Sequence, residues 1–465
     1  MIIAGGFLAL PGVDTPVRAD ITISEGIISA ISVPDRSVGV SADPHGGHET
    51  INADGMLVLP GGVDPHVHFD DPGYTDREDF LHGTSAAASG GITTVIDMPC
   101  TSIPPVTSAA NLQTKLEVVS KEAVIDFGFY GGVSGQVFEA GARRSMEELA
   151  PDVLGFKTYF ISGMQTFNRV THTQFSRVLE IAAGLHRPVL LHAEDFDSIA
   201  GSAKAGRSGG NRPIDYYHSR PEDTEILAVR NAAELAAAAW GGGAPPVSPP
   251  LHIVHVSTGR AAQIIGSSPF VTGETGPQYL AFTLEDFEDI GSPLKVTPPP
   301  RPAPNNEQLW SALANGTLGF VASDHAPAPA AQKHTGSIWT DYGGIPGTGT
   351  LLPYLFSEGY SADRFGLSRL VELTSSAAAR RYGLDHRKGS LQVGMDGDCV
   401  LIDPDAEWTV KGSEFLSKGT ITPFDGMTLT GKVTRTIVRG RVVYDAEHGI
   451  TTDAGSGVFL RRGPR

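Results

Sequence analysis

Two histidines one residue apart, His66 and His68, follow the apolar run Met56 to Val63. In a strand, residues i and i+2 face the same side, so both imidazoles point one way at its carboxyl end. Two such imidazoles can bind one metal ion. Two polar residues on a loop would show the same spacing. Three further candidates close apolar runs: His192 ends Val189-Leu190-Leu191, His255 ends Ile253-Val254, and Asp324 ends the run from Phe320. Each alone also reads as a hydrogen-bonded residue closing a strand. Together they make four imidazoles and one carboxylate, a ligand set for one or two borderline divalent ions. Zn2+ fits it best, with Mn2+ and Co2+ as alternatives.

Lys157 is the odd member. It stands inside Leu154-Gly155-Phe156-Lys157-Thr158-Tyr159-Phe160, a run that reads as a buried strand. A buried ammonium is costly, and lysine lowers its pKa readily when desolvated. The neutral amine can take up carbon dioxide as a carbamate, an anionic two-oxygen ligand able to bridge two metals. The plainer reading is a lysine at a strand end whose charge snorkels to water.

These residues need a scaffold that gathers strand ends. Apolar runs at 57–63, 92–98, 125–131, 153–160, 188–193, 251–256, 270–273 and 319–323 alternate with helical patterns such as Thr224 to Trp240 and Arg364 to Tyr382. Eight β runs in this rhythm predict an α/β fold, a (β/α)8 TIM-type barrel whose strand ends converge on one active face. A doubly wound open sheet would ask for GxGxxG after its first strand, and none stands there. The two ends of the chain are β-rich. The expected organisation is a barrel over 56–385 and a small β-sandwich domain built from 1–55 plus 386–465. The Gly/Pro-rich stretch 241–250 reads as a loop between a helix and a strand.

Composition narrows the partners. Among 465 residues, 52 carboxylates against 35 Lys plus Arg give a net charge of −17. That balance argues against a nucleic-acid surface. The two cysteines, Cys100 and Cys399, exclude a disulfide framework and point to a reducing compartment. The opening residues lack a basic leader, and no run reaches the ~18 apolar residues of a membrane span. The expectation is a cytoplasmic protein with no membrane partner. The 56 glycines, without a G-X-Y period, signal tight turns.

With these residues in view, the sequence resembles a known family. Gly61-Gly62-Val63-Asp64-Pro65-His66-Val67-His68, Gly155-Phe156-Lys157, His192-Ala193-Glu194, His255-Val256-Ser257 and Ser323-Asp324-His325 look like the cyclic amidohydrolases. That is the hydantoinase, dihydropyrimidinase, allantoinase and dihydroorotase group of the amidohydrolase superfamily. The likeness covers essentially the whole chain. The stretches 126–132, 276–280 and 423–427 are most similar to bacterial hydantoinases of the L type. Met98-Pro99 with Pro104-Pro105 looks more like allantoinase.

The resemblance implies that His66, His68 and Asp324 hold the more buried of two ions. Lys157, carboxylated to N6-carboxylysine by CO2, bridges both. His192 and His255 hold the second ion. Asp324 takes the proton of the attacking water and passes it to the leaving nitrogen. The implied reaction opens a cyclic amide, a 5-substituted hydantoin to the N-carbamoyl amino acid. Allantoinase (allantoin to allantoate) and dihydropyrimidinase are the alternatives. From another class, non-catalytic dihydropyrimidinase-like scaffolds keep the fold and lose metal ligands, and the complete ligand set argues against that. Family likeness also implies a homo-oligomer, a tetramer or dimer.

The substrate side departs from the family in places. Dihydroorotases resemble His-x-His-x-Arg, where the Arg grips a carboxylate. Here that position is Asp70, which would repel one, and allantoinases tend to have Asn. D-hydantoinases and dihydropyrimidinases carry a Tyr five residues after the lysine, where this chain has Ser162. Tyr159 shares the strand face of Lys157 and reads as barrel filler. Thr297 and Gly344 match segments that contact the ring amide. Loops 69–79 and 162–170 line the mouth after strands 1 and 4, and Phe69, Tyr74, Phe160, Met164 and Phe167 read either as an apolar wall there or as packing in a subunit interface.

Overall fold

Eight parallel strands carry the middle of the chain in a computed structural model that describes residues 1–33, 49–240 and 248–463. They are Gly62–Val67 (β1), Ile92–Asp97 (β2), Asp126–Phe129 continued by Gly131–Gly132 (β3), Phe156–Tyr159 (β4), Val189–His192 (β5), Leu251–Ile253 (β6), Val271–Thr275 (β7) and Phe320–Val321 (β8). Neighbours pair in that order, and a parallel bridge from Val67 to His325 closes the ring. β1 to β6 are buried along their whole length. Parallel strands covered on both faces have no water side, so they appear as unbroken apolar runs. Helices lie between them as expected. The pattern at Thr224 to Trp240 folds as Glu222–Ala239. The pattern at Arg364 to Tyr382 forms helical turns from Leu367 to Tyr382, with a wider π turn at Glu372–Ser376. The loop read at 241–250 falls, as far as residue 247, outside the described residues.

Both chain ends join in one nine-stranded, sandwich-like sheet. It takes Ile2–Leu8, Val17–Ser24 and Ile27–Ser32 from the start and Cys399–Thr409, Thr428–Val438 and Arg441–Asp445 from the end. Its own core includes Ile3, Leu8, Ile21, Ile28, Val58, Leu401 and Ile437. The expected barrel strand at 57–63 is divided between the two sheets. Leu57–Pro60 pairs with Cys399–Thr409 and with Ile2–Leu8, and the chain crosses at Gly61 into β1. A Cβ at Gly61 would stand 2.1 Å from Thr93 Oγ1, so the crossing needs glycine. An apolar run alone does not say which sheet buries it.

A buried ionic knot ties the terminal sheet to the barrel. Lys388 Nζ lies 2.7 Å from Asp126 Oδ2, 2.9 Å from Asp396 Oδ2 and 2.6 Å from Asp398 Oδ2. Asp126 opens β3, while Asp396 and Asp398 lead into the strand from Cys399. Arg439 also grips Asp126, and Arg387 pairs with Asp396. Removing one partner strands buried charge. Lys388→Met is therefore expected to cost about 3–5 kcal/mol of stability. Urea unfolding measures this; an unchanged midpoint would show that the knot does not hold the two sheets together.

Candidate active site

The carboxyl ends of the strands form a cavity of about 310 Å³. Its base carries His66 and His68 from the end of β1, His192 from β5, His255 after β6 and Asp324 after β8. Asp324 Oδ1 lies 3.1 Å from His66 Nε2 and 3.3 Å from His68 Nε2. His192 Nδ1 faces His255 Nε2 at 2.9 Å. The sequence candidates therefore converge, as two facing groups of donor atoms.

Carboxylates behind them set the ring orientations. His66 Nδ1 lies 2.7 Å from Glu274 Oε1, which leaves Nε2 for the cavity. Glu274 also meets His252 Nε2 at 3.1 Å. His192 Nε2 lies 2.8 Å from Glu194 Oε2, and Arg220 Nη1 donates to the same oxygen at 2.5 Å. An imidazole whose outer nitrogen is tied to a carboxylate presents its inner nitrogen as a ligand. Burial pushes the pKa of His66, His192 and His255 down and so favours the neutral form that binds metal. Burial alone would raise the Asp324 carboxyl. Its hydrogen bond to His68 outweighs that and holds it below the usual range.

Two of these residues sit on strained backbone. Asp324 has φ +51° and His255 φ +39°, the left-handed region that non-glycine residues rarely take. The neighbours of Asp324 enforce it. Ser323 N donates to Asp64 Oδ1 at 3.1 Å. His325 Nε2 meets Glu78 Oε2 at 3.1 Å, and its Nδ1 accepts from Gly347 N at 3.1 Å. Strain of about 1–3 kcal/mol persists only where such surroundings over-determine the conformation.

Lys157 is fully buried, which removes the snorkelling alternative. Its Nζ is 4.9 Å from the centre of the Tyr159 ring and has no hydrogen-bond partner among the described residues. Burial pushes the amine down to about 8. An orphaned amine beside His66, His192, His255 and Asp324 is chemically incomplete. A carbamate shared by cations would satisfy both the nitrogen and the facing donors, so the residues present fit a two-metal centre.

The wall above the base differs from expectation at several positions. Tyr159 is a cavity residue rather than filler: its ring stacks on His192 at 5.4 Å and its hydroxyl meets Cys100 Sγ at 3.0 Å. Ser162 lines the cavity, but its hydroxyl donates to Phe167 O at 2.6 Å and accepts from Met164 N at 3.2 Å, which commits it to its own turn. Thr297 lines the cavity with its Oγ1 2.7 Å from Tyr216 OH. Gly344 also lines it, with both peptide groups engaged. Its N–H donates to Lys295 O at 2.9 Å, and its carbonyl accepts from Lys333 Nζ at 2.8 Å. Gly343 beside it forms no such bond among the described residues.

Phe69 and Asp70 do not reach the cavity. Phe69 N donates to Asp97 Oδ1 at 2.8 Å, which turns the ring inward against Phe80 and His325. Gly83 makes the room, since a Cβ there would lie 2.6 Å from Phe69 Cδ1. Asp70 is buried behind the wall at φ +46°, and burial pushes its carboxyl up to about 7. Phe160 and Phe167 are core residues, while Tyr74 and Met164 do line the mouth. Sequence reading missed Arg77, held between the Tyr74 and Tyr342 rings at 4.6 Å from each. It also missed Arg220 and Glu274. Only Glu274 left a signal, as a carboxylate closing the seventh apolar run.

Comparison with known proteins agrees with this geometry. Residues 57–443 match the Amidohydrolase family. An allantoinase of Rubrobacter xylanophilus is 37% identical over 99% of this chain and 98% of its own. An L-hydantoinase of Paenarthrobacter aurescens is 34% identical over 97% and 95%. The solved L-hydantoinase (dihydropyrimidinase) from Arthrobacter aurescens superposes with a TM-score of 0.90 at 32% identity, covering 99% of each chain. By that match and by relatives that span nearly its full length, the chain belongs to the amidohydrolase family and is one of its cyclic amidohydrolases.

Proposed function

We propose that this enzyme opens a hydantoin ring substituted at C5, releasing the N-carbamoyl amino acid. The observation that carries the reading is Lys157, a fully buried amine with no hydrogen-bond partner among the described residues, near enough to His66, His192, His255 and Asp324 to feel their charges. In this reading His66, His68 and Asp324 hold one divalent ion and His192 and His255 a second. Zn2+ is the first choice for both. Lys157 joins them as its carbamate. When bound, such ions lower the pKa of water and polarise the attacked carbonyl. Asp324 takes the water's proton and returns it to the ring nitrogen as the C–N bond breaks. The Thr297 side chain and the Gly343 peptide offer donors and acceptors to the imide edge of the ring. Tyr159 supplies a hydroxyl inside the cavity where Ser162 does not.

A second reading, allantoin, has a specific observation behind it. Allantoin is the same ring with a ureido group at C5, and Arg77, Thr101 and Thr166 make part of the mouth polar. Several curated relatives are named allantoinase. A substrate panel decides between them: hydantoin, both enantiomers of an aryl-substituted hydantoin, dihydrouracil, allantoin and dihydroorotate. Turnover of the hydantoins ahead of the rest supports the main reading. Allantoin an order of magnitude ahead would replace it, and no turnover of any of them by metal-loaded enzyme would remove both. Dihydroorotate is expected to be a poor substrate, because position 70 offers no arginine to hold its carboxylate. Efficient turnover would show that Arg77 can hold its carboxylate.

A further inference from the structure

The amino-terminal end of the barrel, opposite the catalytic mouth, holds a second cavity of about 900 Å³. It lies between residues 186–188 before β5, residues 248–250 before β6 and the helix Ala377–Tyr382. Its walls are cationic in a chain whose net charge is −17. Arg187, Arg380, Arg381 and Arg462 line it, against one carboxylate, Asp385.

Two of these guanidinium groups are committed elsewhere. Arg187 donates to Val153 O at 3.0 Å and Ala150 O at 2.6 Å, tying down the turn before β4. Arg380 pairs with Glu372 at 3.2 Å near the surface. Arg381 is different. It is 8% exposed, and its Nη1 donates to Pro249 O at 2.8 Å and Ser248 Oγ at 3.2 Å. Its Nε and Nη2 are buried with no partner among the described residues. Buried N–H groups left unmet are uncommon in native proteins. These two form one edge of the guanidinium, a parallel pair of donors matched to two oxygens of one carboxylate or phosphate.

The neighbouring charge points the same way. Arg462 is seated over Gly383, which has φ +71° and no side chain to obstruct it. A Cβ there would stand 2.6 Å from Arg462 Cγ. Burial and the charge of Arg462 together push the Arg381 guanidinium down to about 10. A second cation beside a buried one raises the energy of both, and an anion bound at the same place lowers it.

We propose that this cavity is an oxyanion site, in which the Nε–Nη2 edge of Arg381, with the charge of Arg462 beside it, takes a small ligand bearing a carboxylate or a phosphate group. Bound there, the ligand ties the helix Ala377–Tyr382 to the loop at 248–250 and to the C-terminal tail. It does so far from the reacting atoms and independently of which ring the enzyme opens.

The test is thermal unfolding of the metal-loaded enzyme at constant ionic strength, titrated with phosphate, acetate or chloride. The unfolding midpoint is expected to rise and saturate with phosphate or acetate and not with chloride. A response to phosphate alone assigns the phosphate group, and a response to acetate alone the carboxylate. Arg381→Lys keeps the charge and loses the paired edge, so it should weaken the response at least about tenfold. Oxyanions can also meet the catalytic centre, so their inhibition of turnover should be the same in wild type and Arg381→Lys. Should that variant fold poorly, calorimetric titration of wild type with phosphate gives the second measurement. It is expected to show a binding step besides the one that follows inhibition. No saturable response, an equal response in Arg381→Lys, or a single calorimetric step matching inhibition would overturn the site.

Discussion

Lys157→Ala is expected to empty the catalytic centre of metal and to lower turnover by about 10³-fold or more, because water without a bound ion has a pKa of ~15.7 instead of ~7. The argument starts from burial. The Lys157 amine is wholly enclosed and unpartnered, and desolvation lowers its pKa from 10.5 to about 8. At pH 7 that leaves roughly 300-fold more neutral amine than an exposed lysine would show. The neutral amine is the form that adds CO2, so loading of metal-stripped protein is expected to quicken with added bicarbonate and as pH rises towards 8. Alanine removes the bridge without stranding a charge. The variant should fold at least as well as metal-free wild type, since a buried ammonium opposes folding at any pH below its folded pKa. Metal analysis beside the assay separates loss of metal from loss of fold. Short-chain carboxylic acids should restore part of both metal and activity by supplying two oxygens to the vacated space. A variant with full metal and full activity would take Lys157 out of the centre.

The same residue shows what a sequence can and cannot carry. His192, His255 and Asp324 were readable because each ends an apolar run, and in a parallel barrel that places it on one face, whereas Lys157 stands inside its run and only the family resemblance favoured it as a ligand. The runs were readable because strands buried on both sides have no polar alternation. What failed depends on contacts between distant segments. The run at 57–63 belongs to two sheets, and only the crossing at Gly61 against Thr93 reveals it. Phe69 directly follows His68, yet its ring turns inward because its own N–H is held by Asp97 on the next strand. Gly344 and Gly343 are equivalent as letters. They differ because Lys295 and Lys333 take up the peptide groups of the first and leave the second open. Arg77 lies in a mouth loop with no periodicity, and its place between Tyr74 and Tyr342 has no local sequence signature.

Asp324→Asn is the sharper test of mechanism, since it separates ligand from base. Asparagine has nearly the same shape and tolerates the left-handed φ of +51° better than most residues, so the strained turn should persist. One oxygen remains to face the histidines, and some metal should be retained. What is lost is the ability to take a proton. The expected result is a fall in kcat of about 10²–10⁴-fold, measured against the metal actually bound. The pH profile gives an independent reading. The hydrogen bond to His68 holds the Asp324 carboxyl below the usual range, so the wild-type base stays ionised well into acid. Its activity should therefore decline only when pH falls through that lowered value. In Asp324→Asn this acid decline should vanish from the residual activity, because the group that titrates is gone. If kcat per bound metal survives, or the acid decline persists unchanged, then Asp324 only holds metal and another group moves the proton.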